Sequence, residues 1–397
     1  MSISASDLGD LIKTTQKELG ELRYTDLSHD LQYYLALSNL MQESSVTFDA
    51  GSSIQWNLMT SNSGAAKQTS LFAVDSVNVG DVMATAEIPW RHTTTNYAIE
   101  RREIAMNRDP RRIVDLVKVR RNDAMVSLTE HMEEQFWKMP PAGNDLNMYG
   151  VQYWVSDNAG ANLTNGSDAT QLGIAGGGFN GGLPNNGATT VAGISPTDVP
   201  RWQNHLAYYD ANELDGSSGG ANDWSDSGVF PNLTVLQAMK QTYTKCNFKP
   251  IPNAAYPSYN PTPDKWGIYC GFEEVAGLEA ISYRLNDAVV TRDIGHEAGG
   301  VMFRGVPVTY VPYLDNVTSV KAADAAASTR RGNPIYFLNW GAFRSVLLSG
   351  EYLKEQGPET APNQHTVFTT HIDATMNIQC VDRRRNGLVT NGAVNFA

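Results

Sequence analysis

Gly176-Gly-Gly178-Phe-Asn-Gly181 spells GxGxxG, the turn in which glycines let backbone amides approach a dinucleotide pyrophosphate. That chemistry needs a strand before the turn and a helix after it. Leu183-Pro184-Asn-Asn-Gly187 follows instead, where no helix starts. Gly216-Ser-Ser218-Gly-Gly220 spells GxSxG, whose serine attacks acyl groups only from a sharp strand-to-helix turn. Here it lies in the tract DANELDGSSGGANDWSDSG (Asp210 to Gly228) and reads as a solvated loop. Five acidic residues there, Asp210, Glu213, Asp215, Asp223 and Asp226, are oxygen donors of the type that holds calcium. Their spacing departs from the calcium-loop pattern, since Leu214 and Asp215 stand where a ligand and the turn glycine belong.

The nitrogen and sulfur ligands are equally scattered. The histidines are His29, His92, His131, His205, His296, His365 and His371. His365 and His371 share one strand face by their even spacing, but no third ligand is spaced to join them. His131 with Glu133 and Glu134 lacks the second histidine of HExxH. Cys246, Cys270 and Cys380 contain no CxxC pair and read as reduced thiols, not as a disulfide framework. The expectation is therefore no catalytic group, no cofactor and no metal. A β-rich hydrolase with Gly173–Tyr208 as its lid would need a triad or a carboxylate pair, and neither can be assembled.

The composition points elsewhere. The chain has 397 residues, enough for two or three core-bearing units. Charged residues are only 18% and apolar ones 41%, while there are 34 glycines. Low charge suits a surface largely covered by partners. A net charge of −12 argues against a protein that grips nucleic acid through phosphates, though not against one that encloses it. No apolar run approaches a membrane span, and MSISASDLGDLIKTT has no signal-peptide pattern.

Along the chain, Ser6–Leu22 and Leu31–Met41 carry apolar residues at helical spacing and form an amphipathic arm. SIQWNLMTS and VMATAEIPWRHTTTNYAIERREIAM read as long strands of an extended two-stranded excursion. Such a hairpin is marginal alone, so Trp56 and its neighbours are expected to be buried by another copy. Asp109-Pro110 opens the strongest helix, with Ile113, Val117, Ala124, Leu128, Met132 and Phe136 near a 3.6 period up to Lys138. NMYGVQYWVS reads as a strand. Gly173–Tyr208 reads as a long irregular loop ending on Trp202, a latch onto a second copy. LTVLQAMKQTYTKC and EEVAGLEAISYRLND read as helices, and WGIYCGF, VPVTYVPYL, PIYFLNW and TVFTTHIDATMNIQCVD as strands.

That order of parts resembles a major capsid protein of a tailed bacteriophage, of the Hong Kong 97 type. Local runs carry the likeness: Gly178-Phe179-x-Gly181-x-Leu183-Pro184, Val191-Ala-Gly193-Ile194 and Pro200-Arg201-Trp202-x-Asn204. Phe303-x-Gly305-x-Pro307-Val308-x-x-Val311-Pro312, Asn333-Pro-Ile-Tyr-Phe-Leu-Asn339 and Asp382-Arg-Arg-Arg-Asn386-Gly387 follow. The resemblance implies an α+β fold of the Hong Kong 97 type. Its parts would be an N-terminal arm (1–45), an extended loop with flanking strands (46–104) and a peripheral domain (105–232). That domain would hold a spine helix at 109–138 and an inserted loop at 157–228. An axial domain (233–365) and a returning strand with the C-terminus (366–397) would complete the chain.

The resemblance also implies a function without catalysis. The chain would assemble with itself as hexamers and pentamers into an icosahedral shell around phage double-stranded DNA, in the virion, after assembly in the host cytoplasm. An encapsulin-like compartment shell is the alternative. The arm is short for a built-in scaffold, so a separate scaffolding protein is implied, with a portal and a possible decoration protein. The mixed charges Glu100, Arg101, Arg102, Glu103, Arg111 and Arg112 would set register between copies. Arg383–Arg385 would do the same or face DNA. In the type member a loop lysine joins a neighbour's asparagine. Lys67, the lone lysine between Val46 and Met106, holds the matching place, with a free amine as its expected state.

Overall fold

The computed structural model describes residues 34–43, 45–61, 68–70, 82–106, 110–141, 146–156, 178–184, 188–209, 235–247, 265–285, 294–297, 300–315, 334–361 and 364–391. Lys67, the first arm segment Ser6–Leu22 and the Asp210–Gly228 tract lie outside them. Among the described residues the strands form three sheets. The first is organised on one long strand, β14 (Gln364–Cys380). Its 17 residues are long enough for partners to pair along both edges. Strand β4 (Arg91–Glu100) runs antiparallel along one edge. Strands β13 (Lys354–Ala361) and β12 (Phe343–Leu348) share the other, and β1 (Ser45–Phe48) adds to β12 in parallel.

The second sheet has eight strands. Its order is β5 (Gly178–Gly181), β6 (Asn204–Tyr209), β15 (Gly387–Asn391), β11 (Ile335–Asn339), β7 (Trp266–Cys270), β10 (Val306–Tyr310), β9 (Gly300–Phe303) and β8 (Ile294–Glu297). The stretch expected as an irregular loop thus supplies two strands, because β6 pairs in parallel with β15 far along the chain. Residues 233–365 contribute to both sheets.

A two-stranded ribbon, β2 (Ser53–Met59) and β3 (Met83–Pro89), makes the third sheet. The chain breaks at Trp90 before β4, so the second of the two expected long strands is divided between two sheets and ends in a short helix, α2 (Arg101–Met106).

The arm's second apolar patch forms α1 (Leu35–Glu43), and the strongest predicted helix forms α3 (Pro110–Trp137). At 28 residues α3 is about 42 Å long. Its face of Ala124, Leu128, Met132, Phe136 and Trp137 is buried in the main core. The expected strand NMYGVQYWVS is instead a bend around a four-residue helix, α4 (Val151–Trp154). Close approach explains the change. A Cβ at Gly150 would stand 2.1 Å from the Lys138 carbonyl oxygen, so the segment lies against the C-terminal carbonyls of α3. Tyr153 and Trp154 then enter the core beside Trp202 and Trp56.

A second core lies on the eight-stranded sheet, under α5 (Val235–Cys246) and α6 (Phe272–Leu285). Gly387 is needed there, because a Cβ would meet Thr242 Cγ2 at 2.3 Å. His205 is fully buried beside it, edge-on to Phe179 at 5.5 Å, and neither ring nitrogen has a partner among the described residues. Burial, with a smaller push from Lys245, lowers its pKa to about 3.

The folded chain holds His205 neutral, while the unfolded chain takes a proton below about 6.5. Stability is therefore fully present above that pH and is lost as pH falls toward 3, by about 1.4 kcal/mol per pH unit. Glu274 is raised to about 7 by burial and acts oppositely, its contribution being lost as pH rises through that value. Comparison with His205→Phe, which leaves Glu274 in place, isolates the histidine. Urea unfolding between pH 6.5 and 5 should show the variant losing stability with a slope about one proton smaller. Equal slopes would mean that His205 is not held neutral.

Candidate functional site

Arg383 is 0% exposed and carries six hydrogen bonds to described residues. It lies in a short 3-10 turn, Arg383–Arg385, between β14 and β15, opened by Asp382 accepting from the Arg384 amide. Its Nε donates to the Trp154 carbonyl at 2.7 Å and Nη1 to the Trp202 carbonyl at 2.7 Å. Its Nη2 faces Ser156 Oγ at 3.0 Å, the Gly182 carbonyl at 3.0 Å, Asn204 Oδ1 at 3.1 Å and the Gly181 carbonyl at 3.3 Å. The guanidinium also sits 5.9 Å from the Trp202 ring centroid. No carboxylate among the described residues pairs with it. Burial lowers its pKa to about 10, so it stays charged at neutral pH, held by carbonyl dipoles.

This arrangement corrects the reading of Trp202. Its side chain is 4% exposed within its own subunit, and Nε1 donates to the Val191 carbonyl at 3.1 Å. A ring already buried cannot be buried again by a second copy. The arginine run is corrected as well. Arg383 and Arg385 are buried and Arg384 pairs with Asp382 at 3.0 Å, so the run presents no basic face to DNA. The pattern that could have revealed this is the flanking Asp382 and Asn386. Asn386 caps the neighbouring strand by accepting from the Asn339 amide at 2.9 Å.

The mixed charges divide. Glu103 forms a two-point pair with Arg120 at 2.8 and 2.9 Å, and Arg120 also donates to the Ala98 carbonyl. This joins α2, α3 and β4 inside one subunit, so Glu103 is not a free register charge. Arg101 is exposed, and Arg102 lies 3.9 Å from Glu100, a weak contact. Arg111 and Arg112 fall on the first turns of α3, where only the backbone is described. Farther along α3, Arg121 reaches Glu355 on β13 at 2.7 Å.

The ribbon also rests on its own subunit. Ile54, Ala86 and Ile88 are buried, and Trp56 is half-buried 6.2 Å from the Trp154 ring. Its far end is different. Met59 and Met83 stand opposite each other, 65% and 57% exposed. Sequence reasoning missed them because methionine in a strand pattern reads as core. Phe272 and Tyr310, paired edge-on at 6.3 Å, form a second exposed apolar contact.

The motif hits find no chemical context. Gly178–Gly181 is edge strand β5, not the start of a helix. His365 and His371 are both exposed on β14. Among the described residues no three histidine, cysteine or acidic side chains converge to hold a metal. Burial raises the thiols of Cys246, Cys270 and Cys380, which suits packing and not nucleophilic attack.

No protein-family model and no curated protein matches the chain. Solved structures do. The chain is similar to the capsid subunit of cyanophage A-1(L), with TM-score 0.53, 12% identity and 99% of both chains covered. It is also similar to the capsid of a native GTA particle, with TM-score 0.51, 11% identity and 99% of both chains covered. At these identities the likeness shows a shared fold, that of capsid subunits, across the whole chain.

Replacing the buried Trp202 should therefore act on the subunit. Trp202→Ala is expected to cost about 3–5 kcal/mol in urea unfolding of the unassembled chain. Unchanged subunit stability with a defect confined to assembly would restore the latch reading.

Proposed function

We propose that the chain is the major capsid protein of a tailed bacteriophage, built on the Hong Kong 97 plan, and that its work is geometric and not catalytic. One observation carries the reading: the fold likeness to capsid subunits runs over 99% of both chains. In this reading α3 is the spine helix, the β2–β3 ribbon is the extended loop, and the eight-stranded sheet is the core of the axial region. Copies of the chain assemble as hexamers and pentamers around DNA, with a separate scaffolding protein, a portal and a possible decoration protein. The shell becomes part of the virion after assembly in the host cytoplasm.

The physical features support this division of labour. Buried polar ties make each subunit internally stiff. Exposed Arg101, Arg102, Met59, Met83, Phe272 and Tyr310 are left for contacts between copies. Burial of such apolar groups contributes about 25 cal/mol per Å² before ordering costs. The acidic balance, −12, suits a wall that encloses DNA without gripping it.

Electron microscopy of the full chain, expressed with its scaffolding protein where one is required, tests the proposal. Closed icosahedral shells are the expected result. A stable monomer under all assembly conditions would overturn it, and shells loaded with an enzyme cargo would move the chain to the compartment class.

A further inference from the structure

Glu133 lies on α3 and is 1% exposed. N–H groups of α1 and of α3 itself meet its carboxylate. The Ala36 amide and the Trp137 indole Nε1 donate to Oε1, each at 2.9 Å. The Leu37 amide donates to Oε2 at 2.9 Å. Ala36 and Leu37 belong to the first turn of α1, whose amides have no partner within the helix. A carboxylate at that point also meets the positive end of the helix dipole. Burial pushes the carboxyl up, and hydrogen bonds from the Ala36, Leu37 and Leu35 amides and the Trp137 indole pull it down, burial being the larger effect.

The rest of the arm's root is fastened from the other side. Ser345 Oγ on β12 donates to the Leu40 carbonyl at 3.1 Å. Strand β1 follows α1 at once and pairs with β12 from Ser45 to Phe48. An apolar residue at 133 would fill the same volume, yet it could accept from neither amide of α1. A group that served only to fill the core would not need both carboxylate oxygens directed at a helix terminus.

We propose that Glu133 is the lock that docks the root of the amino-terminal arm on its own subunit, and so acts as a positioning residue for assembly. The docked α1 fixes the position and direction of the chain at Tyr34. The docking half of this proposal stands on the contacts alone, while the assembly half rests on the capsid reading.

The test uses the full chain with Glu133→Gln, which keeps size but sets an amide NH2 against a backbone donor. Hydrogen exchange should show the Ala36 and Leu37 amides losing protection by about tenfold or more. Amides of α3 and β14 should stay within about threefold of wild type, and shells should form in lower yield or at irregular size. Leu37→Pro removes one of the same hydrogen bonds from the arm side without altering α3, and should loosen the same segment. Unchanged protection of α1 in both variants overturns the lock. Protection lost throughout α3 and β14 also overturns it, since Glu133 would then be a general core residue. Loosened α1 with shells of normal yield and size overturns the assembly role. If the wild-type chain forms no shells, the capsid reading fails while the exchange data still decide the docking.

Discussion

A charged guanidinium with no carboxylate partner cannot remain dry unless oxygens surround it. Arg383 meets that demand with six oxygens from Trp154, Ser156, Gly181, Gly182, Trp202 and Asn204. These belong to three separate chain segments, and Arg383 itself bridges the strand that organises the first sheet to a strand of the second. The turn after Trp154, the entry to β6 and the edge strand β5 are therefore set by one side chain. Withdrawal of any one segment would leave a buried cation short of acceptors, so the segments stay together or separate together.

The same principle repeats at smaller scale. Asn377 on β14 accepts from the Tyr149 amide at 3.1 Å and donates to the Pro89 carbonyl at 2.8 Å, tying the ribbon's exit to the bend before α4. Arg120 joins α2, α3 and β4, and Glu133 joins α1 to α3. In each case a polar group inside the subunit reaches across long sequence separations. In the proposed capsid, contacts between copies would fall to the exposed groups: the ribbon's far end, the arginines of α2 and the aromatic pair at Phe272 and Tyr310. A stiff body with separate contact surfaces is what a subunit needs if it must fit more than one local symmetry.

Much of the fold was legible in periodicity. The 3.6 period of Ile113 to Phe136 marked α3 within a residue or two at each end, and the alternation of Thr366–Asp382 marked β14. The illegible parts are those decided by distant partners. Gly173–Tyr208 has the composition of a loop, yet β6 exists because β15 lies beside it. NMYGVQYWVS has the apolar density of a strand, yet Gly150 brings it against the end of α3, where only a short helix fits. Trp202 and Arg383–Arg385 have the look of surface groups because aromatic and basic residues in polar surroundings usually are exposed. Trp202 and Arg383 are instead buried against each other, across about 180 residues of sequence. By sequence alone Glu133 belongs to an incomplete metal motif, since the amides that claim it lie 97 and 96 residues upstream.

The central claim is that Arg383 holds the two halves of the subunit together. Its most direct test is equilibrium urea unfolding of the unassembled chain carrying Arg383→Met, which retains the stem and removes the donors. Several buried oxygens would lose their partner, so the predicted loss is at least about 3 kcal/mol, with β5 and β6 losing exchange protection first. A loss under about 1 kcal/mol, with β5 and β6 as protected as before, would contradict the account.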